Sequence, residues 1–272
     1  MSCLQEDKLK LVRFTSAKYT AGKYGVLTDD GRIELISGGL LDPIEKTGEL
    51  INESEITRYL PPIDPPNVIA IGLNYLEHTK ETQQKMPSQP LMFIKATTTV
   101  VGHGDNIVLP KIAPTGVDYE AELCAIIGRK AKNVSEDEAL EYVFGYCCGN
   151  DVSGRDVQFA DGQWARGKSF DTFAPLGPYV TTDFDPNDKR VISRLNGEVM
   201  QDGNTSDMVF SVATLVSFLS RNLTLLPGTV IMTGTPFGVG YTRTPPVALK
   251  PGDVSEVEIE GLGILRNTVI AE

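Results

Sequence analysis

The spacing of apolar and polar residues divides the chain into many short strands and few helices. Residues 9–14, LKLVRF, alternate, and YGVLTDDGRIELI sets two alternating arms on either side of Asp30-Gly31. Residues 9–37 therefore predict a strand followed by a hairpin. The proline cluster Leu60–Pro66 interrupts regular structure and is the expected domain boundary. Beyond it NVIAIGLN, PLMFIKA, NIVLP, DYEAELCAIIG and TVIMTGTP read as strands, and RLNGEV as a hairpin turning at Asn196-Gly197. Helices are fewer. In FSVATLVSFLSRN, Val212, Leu215, Val216 and Leu219 recur at i, i+3, i+4 and i+7, one face for a core. Ser135 with Glu138 predicts a capping box opening a helix through EDEALEYV. YLEHTKETQQK predicts a short polar helix with no apolar face. Strands and helices do not alternate regularly, which favours an α+β, β-rich fold over a doubly wound parallel sheet.

Composition narrows the classes of function. With 272 residues, 41% of them apolar, the chain can bury a substantial core. A net charge of -11 leaves no basic face for nucleic acid, though it fits carboxylates gathered around a cation. Cys3, Cys124, Cys147 and Cys148 form no C-x-x-C pair, and three lie in apolar runs, so reduced thiols in a reducing compartment are expected. No apolar run is long enough to span a membrane, and the first residues carry no leader-like pattern. The expected location is cytoplasmic.

One stretch invites a different class. GQWARGKS, Gly162–Ser169, fits the phosphate-loop pattern G-x-x-x-x-G-K-[ST] letter for letter. A working phosphate loop needs an apolar strand before it and a helix after it. Here SGRDVQFAD precedes, and FDTFAPLGP follows with prolines that leave no room for a helix. TGTPFGVG fails as a dinucleotide fingerprint because Arg243 stands where its third glycine would fall. A nucleotide-binding protein is therefore the disfavoured alternative.

The acidic residues are more informative. On one strand, Asp118, Glu120 and Glu122 share a face, while Tyr119, Ala121, Leu123, Ala125 and Ile127 share the other. That face is either a solvated polar edge or, since it continues into Cys124 and Ile126, a buried acid cluster that needs a counter-charge. FGYCCGNDVSGRD carries Asp151 off the end of an apolar strand, with Asp156 a few residues on. Two Glu and an Asp from separate strands make an oxygen-only site suited to Mg²⁺ or Mn²⁺. Zinc is disfavoured because His78 and His103 are the only imidazoles. An acid pair for glycoside hydrolysis would lack stacking platforms, Trp164 being the only tryptophan. On the short helix, His78 and Glu81 are spaced i, i+3, either an exposed pair or a carboxylate-oriented general base on a mobile lid.

The ordered segments GLNYLEHTKE, FIKATTTVVGHGD, VDYEAELCAIIG, GNDVSGRDVQ, GKSFDTFAPLGP, LNGEVMQDGNTSDMVF and MTGTPFGVG resemble the fumarylacetoacetate hydrolase family. The resemblance covers roughly residues 65–270 and points to the family's domain-containing 2 type. It implies a catalytic domain, 64–272, of the family's mixed β-sandwich roll, preceded by a small N-terminal β domain, 1–63, in a homodimer. Glu120, Glu122 and Asp151 would hold Mg²⁺ or Mn²⁺, with Asp118 in the motif but not a ligand. His78 and Glu81 would be an acid–base dyad on a lid that orders over substrate. Lys168 would stabilise enolate charge, and Arg155, Gln158 and Thr235 would hold substrate oxygens. The implied chemistry runs through an enolate on 2-oxo diacids or 2,4-dioxo acids. Oxaloacetate keto–enol tautomerisation stands ahead of C–C hydrolysis of fumarylpyruvate or acylpyruvate type and of oxaloacetate decarboxylation.

Overall fold

The structure, a computed structural model, describes residues 8–113 and 115–272. Its strands form a large mixed sheet, a five-stranded sheet and a two-stranded ribbon. At the centre of the large sheet, Ala121–Ile127 pairs antiparallel with Val143–Asn150 on one side and Val230–Met232 on the other. Val68–Gly72 joins Val230–Met232 in parallel, and Leu91–Lys95 closes that end of the order. On the other side Ala174–Thr181 leads to Lys10–Ser16 and the hairpin strands Lys23–Leu27 and Arg32–Ser37, so the first strands extend the same sheet. The five-stranded sheet runs Glu198–Asn204, Arg190–Leu195, Val254–Ile259, Gly263–Ala271, Asn106–Leu109.

Alternation along Ala121–Ile127 decides how these layers pack. Leu123, Ala125 and Ile127 point into a core shared with Val191, Val257 and Leu265 of the smaller sheet. Cys124 and Ile126 point the other way, into a core with Val68, Val180 and Leu11. Every residue of this strand is buried, as expected of a strand covered on both faces. Helix Val212–Asn222 buries Val212, Leu215, Val216 and Leu219 in the first core, and the Ser211 hydroxyl caps it by accepting from the Thr214 amide. The turn at Asn196-Gly197 places both residues at positive φ, the backbone a two-residue hairpin demands. Together these layers make the α+β, β-rich architecture.

Local differences from the sequence expectations have physical causes. Ser135 bonds the Glu138 carboxylate rather than a backbone amide, and only a short 3₁₀ turn, Ala139–Tyr142, follows. The polar stretch RDVQFAD is a helix, Arg155–Asp161, because Val157 and Gln158 turn inward while Asp156, Phe159 and Ala160 face solvent. Cys124, Cys147 and Cys148 are buried free thiols, and Cys3 lies outside the described residues. Among the described residues no helix is long and apolar enough to cross a membrane.

Candidate active site

The site forms where the central strand begins. The acidic strand face is broken there: Val117–Asp118 forms a separate ribbon with Ser153–Gly154, and regular pairing resumes at Ala121. Glu120 occupies the break, its amide donating to Asn150 Oδ1 and its carbonyl accepting from the Asp151 amide. Asp151, one residue past the end of Val143–Asn150, is thereby fixed beside Glu120. Ligand oxygens of Glu120, Glu122 and Asp151 lie within 4.8 Å of one another, and all three residues are buried.

Asp118 is turned elsewhere, so the three acids of the motif do not act as one face. It accepts from the amides of Tyr119, Gly240 and Tyr241 and from the Arg155 guanidinium, which leaves it saturated as a scaffold. Asp156 is exposed and accepts from the Thr115 hydroxyl, apart from the cluster.

Three cations thread the acids. Arg155 Nη2 donates to Glu120 Oε1 at 2.5 Å and Nη1 to Gln158 Oε1 at 3.0 Å. Lys168 Nζ bridges Glu120 Oε2 and Asp151 Oδ2, both at 2.7 Å. Lys95, which the sequence did not single out, is fully buried and donates to Asp151 Oδ1 at 2.5 Å. It closes an apolar strand, PLMFIK, where a lysine pointing inward needs a buried acid to meet it. Glu122 has a different environment: its Oε2 accepts from the Gly234 amide at 2.9 Å, with no cation among its hydrogen-bond partners in the described residues.

The electrostatics follow from this wiring. Burial raises the Glu120 carboxyl, but Lys168 and Arg155 outweigh it and hold the group down at about 2. Burial, then the charges of Asp151 and Glu120, push Glu122 well above the usual carboxylate range. Burial also pushes the Asp118 carboxyl up, against the pull of Arg155, and lowers the Lys95 ammonium. Glu120, Glu122 and Asp151 thus offer converging hard oxygen donors, a set able to hold a divalent cation, whose charge would favour the ionised Glu122 that burial and its neighbours oppose.

Helix α1, Leu76–Glu81, brings the other pair. His78 Nδ1 and Glu81 Oε1 are 2.7 Å apart, and His78 is buried on the inward side of the helix. Glu81 also accepts from the Gly238 amide and the Thr242 hydroxyl, so α1 is pinned to the 238–242 turn. The glycine-rich loop that failed as a dinucleotide fingerprint has its explanation here. Gly234, Gly238 and Gly240 deliver backbone amides to Glu122, Glu81 and Asp118. At Gly240 a Cβ would fall 2.5 Å from Asp118 Oδ1 and 2.0 Å from the Val247 carbonyl, so only glycine permits that approach.

The phosphate-loop match resolves similarly. Helix α2, Arg155–Asp161, precedes it instead of a strand, and the four-residue helix α3, Ala165–Lys168, ends it. A Cβ on Gly167 would meet the Gln158 amide at 2.8 Å, so this glycine lets α3 close onto α2 and carry Lys168 to the acids.

A cavity of about 150 Å³ joins these parts, lined by His78, Glu120, Arg155, Gln158, Lys168 and Thr235 among others. The structure therefore brings together His78, Glu120, Arg155, Gln158, Lys168 and Thr235 at one opening, with Glu81, Glu122 and Asp151 directly behind. Thr235 is partly committed: its hydroxyl donates to the Ala121 carbonyl and accepts from Gln201.

A two-sheet scaffold that buries a carboxylate trio beside a histidine–glutamate pair, around one small cavity, defines an enzyme of oxygen-rich, metal-competent site. Comparison with known proteins is specific. The model of the fumarylacetoacetate hydrolase C-terminal family matches residues 67–270. The human protein named oxaloacetate tautomerase FAHD2A, mitochondrial, is 42% identical over 226 residues, 81% of this chain and 72% of that one. Among solved structures, the fumarylacetoacetate hydrolase of Exiguobacterium antarcticum superimposes with a TM-score of 0.88 at 38% identity, over 97% of this chain and all of that one. The 5-carboxymethyl-2-hydroxymuconate delta-isomerase of Mycobacterium smegmatis gives 0.87, also at 38% and with the same coverage. The chain belongs to the fumarylacetoacetate hydrolase family and is an enzyme of that family.

Proposed function

We propose that this protein is a Mg²⁺- or Mn²⁺-dependent oxaloacetate keto–enol tautomerase. The observation that carries this is the meeting of the acid trio, Lys168 and the His78–Glu81 pair around one small cavity. The name of the human relative supports the choice of substrate. A divalent ion held by Glu120, Glu122 and Asp151 would supply Lewis-acid stabilisation of charge on the 2-oxo group.

The remaining chemistry belongs to the side chains. Glu81 occupies His78 Nδ1 and fixes the ring, which leaves Nε2 as the nitrogen to move the C3 proton. Lys168 spends two of its three donors on Glu120 and Asp151, which leaves one for the oxygen that gains charge as that proton leaves. Gln158, its carbonyl oxygen occupied by Arg155, turns its amide NH₂ to a substrate carboxylate. Residues 64–272 hold all of these groups and form the catalytic domain in this proposal, with 1–63 as the smaller N-terminal domain.

The test follows the loss of enol-oxaloacetate absorbance with Mg²⁺ and after chelation, beside decarboxylation and acylpyruvate hydrolysis under the same conditions. Tautomerisation is expected to be the fastest and to collapse on chelation. A tautomerisation rate equal to that of buffer alone would overturn the proposal, and faster hydrolysis or decarboxylation would move the assignment to that reaction.

A further inference from the structure

The cavity has an apolar wall assembled from separate segments. Trp164, at the start of α3, lays its indole on the end of the Val68–Gly72 strand. A Cβ added to Gly72 would fall 2.0 Å from Trp164 Cζ3 and 2.7 Å from Cη2. Phe93 meets the indole edge-on, with ring centres 5.5 Å apart and planes at 77°. Lys168 Nζ lies 5.4 Å over that same Phe93 ring. One stack thus runs from sheet backbone through indole and phenyl to the site ammonium, and all four residues line the cavity.

Size decides what this wall does. A cavity of about 150 Å³ holds a guest of roughly benzene size. Once the polar groups have taken the head of a 2-oxo acid, little room remains for an arm. The indole is the largest side chain on the wall, and it sits that deep because residue 72 has no side chain. Trp164 is also half-buried, so the ring can shift or be removed without opening a core.

We propose that Trp164, seated by Gly72 and Phe93, sets substrate length, admitting the four-carbon 2-oxo diacid and excluding 2,4-dioxo acids with a longer acyl arm. This rests on the oxo-acid activity proposed above. A longer arm would have to displace the ring from Gly72 and Phe93, and would lose that packing in the reacting complex.

The experiment compares wild type with Trp164→Ala, Trp164→Phe and Gly72→Ala. The first readout is the ratio of kcat/KM for fumarylpyruvate to that for oxaloacetate, with Mg²⁺. The second is the calorimetric ratio of Kd for 2-oxoadipate to that for oxalate. Trp164→Ala is expected to shift both ratios toward the longer acid by about tenfold or more, the scale on which a pocket discriminates one or two methylenes. Trp164→Phe is expected to fall between. Because Trp164 is the only tryptophan, its fluorescence reports the wall directly. Gly72→Ala is expected to shift the emission of the free protein and to move both ratios with it. The proposal is overturned if Trp164→Ala leaves both ratios unchanged, or if wild type handles long and short acids alike. Should wild type turn over no oxo acid, the tautomerase assignment falls, and the binding ratio alone then decides the role of Trp164.

Discussion

Glu122 and Glu120 stand two residues apart with opposite electrostatics. The folded state pushes Glu122 up, so its contribution to stability is present below its unfolded value and lost as pH rises through the folded one. Glu120 is the reverse: depressed to about 2, it contributes above its unfolded value of 4.5, and that contribution is lost as pH falls toward 2. Glu122→Gln, which keeps the shape and removes the charge, is therefore expected to stabilise the metal-free protein at pH 8 by roughly 1 kcal/mol or more, and by less at pH 4. It is also expected to abolish the gain from a divalent cation, about 2.7 kcal/mol at a hundredfold excess over Kd. Urea unfolding at both pH values, with cation and with chelator, measures both effects; a variant less stable than wild type in chelator at pH 8 refutes the charge argument. At this scale the sequence was legible in part. Residue types and family likeness pointed to Glu120, Glu122, Asp151, His78 and Lys168, which the structure places together. Lys95 was not legible, because a lone lysine ending an apolar strand looks the same whether it turns to solvent or to Asp151.

Among the elements, α1 carries the clearest functional consequence. It is only six residues long and exposes Leu76, Glu77 and Lys80, so its own packing holds it weakly. Glu81 compensates by tying it to Gly238 and Thr242 while orienting His78. Glu81→Ala is expected to lower kcat by about 10²–10⁴-fold and to speed amide exchange across residues 76–86. Loss of rate without faster exchange would mean that the tether to the 238–242 turn is idle. Elements were legible where periodicity was strong: the Val212–Asn222 helix and the Asn196-Gly197 hairpin follow from spacing and turn chemistry. Helix α2 was missed because its polar run turns Arg155, Val157 and Gln158 inward, of which only Val157 is apolar, and the expected helix over 136–143 is a short 3₁₀ turn because Ser135 finds a side chain instead of an amide. The Thr233–Gly240 loop was readable only as a failed motif, since backbone amides leave no mark in residue identity.

Across the whole molecule, the first strands and the site share one sheet. Leu11, Val26 and Ile36 pack in the same core as Val68, Cys124 and Val180, and Lys10 and Leu11 pair with Thr181 and Val180 at the end of Ala174–Thr181. A fragment of residues 64–272 would lose Leu11, Val26, Ile36, Leu40 and Ile63 from that core, leaving its remaining apolar residues uncovered, and is expected to associate or precipitate. Light scattering during refolding tests this; a monodisperse, folded fragment would refute it.

The same breadth of view gives the charge threading of the site a meaning in time. Lys95, Arg155 and Lys168 face Asp118, Glu120 and Asp151 inside a chain whose net charge is -11, and Glu122 beside them is pushed toward its neutral form. A divalent cation seated there would favour the ionised Glu122 and bring the count to one positive, which would attract an anionic acid. Loading is then expected to be ordered. Oxalate should bind at least about tenfold more weakly in chelator than with Mg²⁺, while Mg²⁺ binds without oxalate. Calorimetry in the two orders of addition reads the sequence of events directly: the cation arrives, then the acid, and only then does the proton move.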